Sequence, residues 1–111
     1  MKTSSCKEKG RRLQQYVRDK ILENNPSLEP DDVTSRSMGC SGSDILLSPK
    51  AQSLFGFDVE CKNVEKLNVH EALKQCESNS KKNTPLLIFK KNHSKVYAVL
   101  ALDDLFKLLN K

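Results

Sequence analysis

The sequence predicts an α/β or α+β domain in which helices flank a mixed β-sheet, in the order α-β-β-β-α-β-β-α. Three observations predict it. Apolar residues recur at helical spacing in two separated segments. Short apolar or alternating runs bounded by Gly, Pro, Asn and Ser lie between and after them. A chain of 111 residues has room for one core, so residues 1–111 are read as a single domain.

Residues 8 to 24 read as the first helix. Leu13, Tyr16, Val17, Lys20 and Ile21 recur at spacings of three and four, and Asn24-Asn25-Pro26 stops the run. SLEPDD is a loop, and Val33 to Arg36 a short strand. SMGCSGS, rich in Gly and Ser, must turn. Asp44 to Ser48 is a second strand, closed by Pro49, and Pro49 to Gly56 reads as a turn region. Phe55 to Lys62 is a third strand. Val69 to Asn79 is helical, with Asn68 as N-cap and Glu71 at the third helical position. Thr84 to Lys90 and Lys95 to Ala101 are strands joined by Lys91-Asn92-His93-Ser94. A helix over 103–110 closes the chain. No internal repeat or low-complexity linker interrupts this order.

Composition narrows the functional classes. Hydrophobic residues are 37% and charged residues 30%, which suits a small globular protein with a polar surface. No apolar run approaches the roughly 20 residues of a membrane span. The basic N-terminus lacks the apolar segment of a signal peptide, so a cytoplasmic protein is expected, without membrane contact. Four cysteines stand at 6, 40, 61 and 76, and no pair has CxxC spacing. With two histidines, His70 and His93, this argues against a zinc site and for reduced thiols. The net charge is +5 and the pI about 9.1, compatible with a polyanionic partner. The cations fall in two groups. Lys2, Lys7, Lys9, Arg11, Arg12, Arg18 and Lys20 crowd the first helix and its lead-in, and Lys81, Lys82, Lys90, Lys91 and Lys95 surround the late hairpin. Solvated surface and phosphate contact are both open readings of them.

The chemistry concentrates at Glu60-Cys61-Lys62, charged residues where a strand is expected. Side chains alternate along a strand, so Asp58, Glu60 and Lys62 share one face, and Phe57, Val59 and Cys61 belong to the core. Cys61 is then a small buried group, not a nucleophile. An antiparallel hairpin of the second and third strands would bring Asp44 to the end where Glu60 lies. Two converging carboxylates beside a lysine suit a hard divalent cation such as Mg²⁺. A surface salt bridge of Lys62 with Glu60 or Asp44 is the competing reading. Asp58 is a rim residue that could add a ligand, and Glu65 a loop charge. His70 and His93 are expected at the surface. Ser41 and Ser43 lack positioned His and Asp partners for a hydrolase triad. Tyr16 and Tyr97 are too few for a base-stacking platform.

Ser43-Asp44 followed by Glu60-Cys61-Lys62 resembles the Pro-Asp…Glu-x-Lys pattern of the PD-(D/E)xK nuclease superfamily. Gly39-Cys40-Ser41-Gly42-Ser43 before the aspartate, and Lys9-Gly10 opening a basic helix, resemble its Holliday-junction-resolvase branch and related small phage endonucleases. The resemblance covers nearly the whole chain. It implies a restriction-endonuclease-like core. It also implies a DNA endonuclease with Asp44, Glu60 and Lys62 catalytic, Asp44 and Glu60 on Mg²⁺ or Mn²⁺, and Gln75 facing the cleft from the helix after Glu-x-Lys. Two positions depart from the pattern. Ser43 replaces the proline, and Gln14 stands where a first-helix glutamate is expected. A neutral amide is a poorer Mg²⁺ ligand, which implies one metal or weak binding.

The expectation is thus a metal-dependent endodeoxyribonuclease, with Lys9, Arg11, Arg12, Ser41 and Ser43 on the DNA phosphates. A Holliday-junction resolvase comes first, and a nicking or general phage endonuclease second, phage-encoded and acting in the host cytoplasm. A homodimer is compatible with either. The alternative is a DNA-binding module that kept the fold and lost catalysis, for which the neutral Gln14 is the argument.

Overall fold

A computed structural model describes residues 2–36 and 42–110, with side chains of the first helix described from Cys6 onward. Helix α1 spans Lys2–Asn24. It begins six residues before the sequence reading because its first two turns carry no apolar stripe to mark them. The stripe proper, Leu13, Val17 and Ile21, is buried at spacings of four. A short 3₁₀ turn, Pro30–Asp32, leads into β1, Val33–Ser35, which pairs antiparallel with β2, Ile45–Leu47.

The stretch read as a turn is helix α2, Pro49–Leu54. Ser48 is its N-cap: the Ser48 Oγ accepts a hydrogen bond from the Ala51 N–H at 3.1 Å, and Pro49 takes the first helical position, where a missing N–H costs nothing. Pro49 therefore starts a helix besides ending a strand. The chain leaves α2 through Gly56 at φ +70°, a left-handed exit that a Cβ would strain.

Strand β3, Phe57–Asn63, runs parallel to β4, Thr84–Lys90, through the intervening helix α3, Val69–Asn79. The Asn68 side chain caps α3 as expected, accepting from the Glu71 N–H at 3.1 Å. Strand β5, Tyr97–Val99, is shorter than the sequence suggested and pairs antiparallel with β4. Helix α4, Leu102–Leu109, ends the described chain, and Leu102, Leu105, Phe106 and Leu109 on it are exposed.

The architecture is α+β, with a two-stranded antiparallel sheet, β1-β2, and a three-stranded mixed sheet, β3-β4-β5, flanked by helices, in the order α-β-β-α-β-α-β-β-α once the 3₁₀ turn is set aside. The expected hairpin of β2 with β3 does not form. The core joins the α1 stripe to Val33, Ile45, Ala51, Val59, Cys61 and Ile88. Among the described residues, no helix is long and apolar enough to cross a membrane.

Candidate active site

Asp44 reaches β3 without a hairpin. Its N–H donates to the Val59 carbonyl at 2.8 Å, and its own carbonyl accepts from the Arg36 N–H at 2.8 Å. The residue thus ties the end of β1 to the edge of β3. Its Oδ2 accepts from the Cys61 N–H at 2.7 Å, which fixes the carboxylate at the strand edge between Glu60 and Lys62. Burial raises the Asp44 carboxyl above its ordinary pKa, against the lowering effects of the Cys61 N–H, Lys62 and Arg36.

Glu60 lies on β3 with only 5% of its surface exposed. Its Oε1 accepts from the Asn79 Nδ2 at 3.3 Å, and its Oε2 is 3.8 Å from the Lys62 Nζ. Burial raises its pKa, and the negative charge of Asp44 raises it further, while Asn79 and Lys62 oppose the shift. The structure therefore brings Asp44, Glu60 and Lys62 together. The competing reading, a Lys62–Glu60 ion pair, is present in the geometry, but its carboxylate is buried instead of lying on the surface.

Other expectations are corrected. Asp58 shares strand β3 but both its oxygens serve the loop after α3. Its Oδ2 accepts from the N–H groups of Lys81, Lys82 and Asn83 at 3.1–3.3 Å, and its Oδ1 from the Asn83 Nδ2 at 3.0 Å. It is a loop anchor, not a spare ligand. Gln75 is exposed on α3, and among the described residues no hydrogen bond ties it to Glu60 or Asp44. The amide that α3 supplies is Asn79, one turn later. The signal was in the helix period: Ala72 and Cys76 are the buried stripe of α3, and Asn79 continues it by three positions.

Gln14 is buried next to Leu13 in the chain, with 5% exposure, so it does not face solvent. Ser43 is engaged within the protein. Its carbonyl accepts from the Arg36 Nε at 2.6 Å, and its hydroxyl donates to the Asn79 carbonyl at 3.5 Å. Arg36 was not singled out from the sequence, yet it braces this loop and places a positive charge near Asp44. Ser41, and the Gly39–Ser41 part of the expected phosphate-binding turn, lie outside the described residues.

Of the helix cations, Arg11 pairs with Glu8 at 2.6 Å, both about half exposed. Lys9 and Arg12 instead line a groove. His70 and His93 are exposed, as expected. Cys61 is in the core, and burial raises its thiol well above the ordinary value. Cys76, also buried, is pushed up to about 11. Neither thiol is poised as a nucleophile.

The donor set fits a hard divalent cation. The half-buried Asp44 raises the cost of ionising the buried Glu60, and a positive charge placed between the two carboxylates would relieve it. Among the described residues there is no group of three or more His, Cys, Asp or Glu side chains that could hold a metal ion. Mg²⁺ commonly completes such a set with water and substrate phosphate. No protein-family model, curated protein or solved structure matches the chain.

Proposed function

We propose that the protein is a metal-dependent endodeoxyribonuclease with a PD-(D/E)xK-like site. The observation that carries the reading is the convergence of Asp44, held by the Cys61 N–H, on the buried Glu60, with Lys62 beside both. The element order supports it, with the aspartate entering beside the Glu-x-Lys strand and that strand parallel to the next through a helix.

Asp44 and Glu60 would hold one Mg²⁺ or Mn²⁺. Such an ion lowers the pKa of a bound water and neutralises charge on a phosphoryl group. Asn79 orients Glu60, and the Cys61 N–H orients Asp44, so neither carboxylate has to be ordered when substrate arrives. Lys62 keeps an ammonium next to the pair, placed to orient a water or to stabilise charge that develops on the phosphate. A branched-DNA resolvase is the first substrate reading and a nicking or general endonuclease the second.

Cleavage of linear, flapped and four-way DNA, with and without Mg²⁺, tests the proposal. Wild type should cut in Mg²⁺ alone, and Asp44→Asn should lose on the order of 10²-fold or more. A non-catalytic DNA-binding module is favoured by one observation, the buried neutral Gln14 in place of a carboxylate. Metal-independent DNA binding with no cleavage of any substrate would select it.

A further inference from the structure

Members of the two groups of cations, some eighty residues apart in the chain, share one groove. Asn63, the last residue of β3, donates from its Nδ2 to the Lys9 carbonyl at 3.3 Å, which pins the basic part of α1 over the strand end. The parallel register places Lys90 directly opposite Asn63. The β4–β5 turn then carries Lys95 back to the same place. The result is a groove of about 720 Å³ with Lys9 and Arg12 on one wall and Lys90 and Lys95 on the other. Among the described residues, no carboxylate lines it. The nearby Glu65 is occupied, its Oε2 accepting from the Asn92 N–H at 2.6 Å.

The wall made by the turn is held in shape. The Ser94 Oγ accepts from the Lys91 N–H at 3.1 Å and donates to the Lys95 carbonyl at 2.8 Å. A turn fixed before binding loses less entropy when it binds. The other lysines of the late group do not join. Lys81 and Lys82 follow α3, beside Asp58 and Asn79.

We propose that this groove is the track for a nucleic-acid phosphodiester backbone, read without regard to sequence. The inference rests on the nucleic-acid reading above but not on catalysis. Four cations on facing walls, with no acid between them, suit a chain of single negative charges that passes through. The geometry also divides the cations: Lys9, Arg12, Lys90 and Lys95 touch the backbone, and Arg11, paired with Glu8, does not.

The test is binding of labelled single-stranded and duplex DNA by fluorescence anisotropy in EDTA, across a salt series, in an Asp44→Asn background. Each contacted phosphate contributes a log–log slope of about −0.9 on duplex and about −0.7 on single strands. The pairs Lys9→Ala/Arg12→Ala and Lys90→Ala/Lys95→Ala should each flatten the slope by roughly one to two units. The control pair Lys50→Ala/Lys74→Ala removes the same charge from α2 and α3, outside the groove lining, and should leave the slope unchanged. If either groove pair behaves like the control, with circular dichroism unchanged, the backbone does not run through the groove. That result would leave the cleavage assay to judge the nuclease proposal, and absence of cleavage would leave this binding test intact.

Discussion

Asp44 and Glu60 have carboxyls whose pKa values are raised in the fold, chiefly by burial. Such a group is held protonated more firmly in the folded than in the unfolded chain. Its contribution to stability is present below the unfolded pKa and is lost as pH rises through the folded value. Asparagine at position 44 stays neutral and can still accept from the Cys61 N–H. Asp44→Asn should therefore melt at or above wild type at pH 8, and the difference should vanish towards pH 4. Thermal melts across that range check this, and a lower Tm at pH 8 would contradict it. Asn79→Ala should weaken Mn²⁺ binding by about 10-fold, the lower end for an outer partner of a ligand carboxylate, with Asp44 unaffected. Calorimetric titration reads it, and unchanged affinity would mean that Asn79 does not orient Glu60 for a metal. Cys61 and Cys76 should resist thiol reagents in the native protein and react after unfolding, while the exposed Cys6 reacts at once. Site-resolved mass spectrometry checks this directly.

The elements are joined at Ser48, which performs two tasks. Its Oγ accepts from the Ala51 N–H to cap α2, and its hydroxyl donates to the Asp32 Oδ1 at 2.7 Å. The Asp32 Oδ2 accepts from the Glu29 N–H at 2.7 Å, closing the 3₁₀ turn. These bonds hold the Asp32 carboxyl below its ordinary pKa, the Ser48 bond most strongly. A lowered carboxyl stabilises the fold above its unfolded pKa, and that stability is lost as pH falls through the folded value. Ser48→Ala should cost about 1 kcal/mol at neutral pH from the cap alone, or roughly 4 °C in Tm for a domain of this size. The deficit should shrink as pH falls below the ordinary carboxylate range and the Asp32 contribution is lost. A deficit of constant size across pH would place the whole effect in the helix cap.

For the molecule as a whole, the proposed metal site would couple metal binding to stability through Asp44 and Glu60. A ligand that binds only the folded state adds about 2.7 kcal/mol at one hundred times its Kd. Saturating Mn²⁺ at pH 8 should raise the wild-type Tm by several degrees and leave Asp44→Asn nearly unmoved. The gain should fall as the pH drops into the raised carboxyl range, because protons compete for the same oxygens. Equal shifts in both proteins would place the ion elsewhere. Gln14→Glu would add a charge at a buried position of α1, so it should lower the metal-free Tm. If α1 borders the metal site, Mn²⁺ restores that Tm, and failure to restore it separates the helix from the site.

By itself the sequence determined α3 with its Asn68 cap, the extent of β4 and the burial of Cys61; it narrowed the class to α/β or α+β and singled out Asp44, Glu60 and Lys62. These are local matters, set by side-chain period, capping chemistry and alternation on a strand. Tertiary structure decided how they meet. Ser48-Pro49 serves equally to end a strand or to start a helix, and only the packing of Ala51 into the core selects the helix. With α2 in place β2 and β3 are no hairpin, so Asp44 reaches Glu60 through its own backbone and carboxylate bonds to β3. Alternation put Asp58 beside Glu60, but the N–H groups that claim its oxygens come from a loop more than twenty residues away. The choice of Asn79 over Gln75 depended on which face of α3 meets β3. The meeting of Lys9 and Arg12 with Lys90 and Lys95 depended on a parallel register, which no spacing within either segment contains.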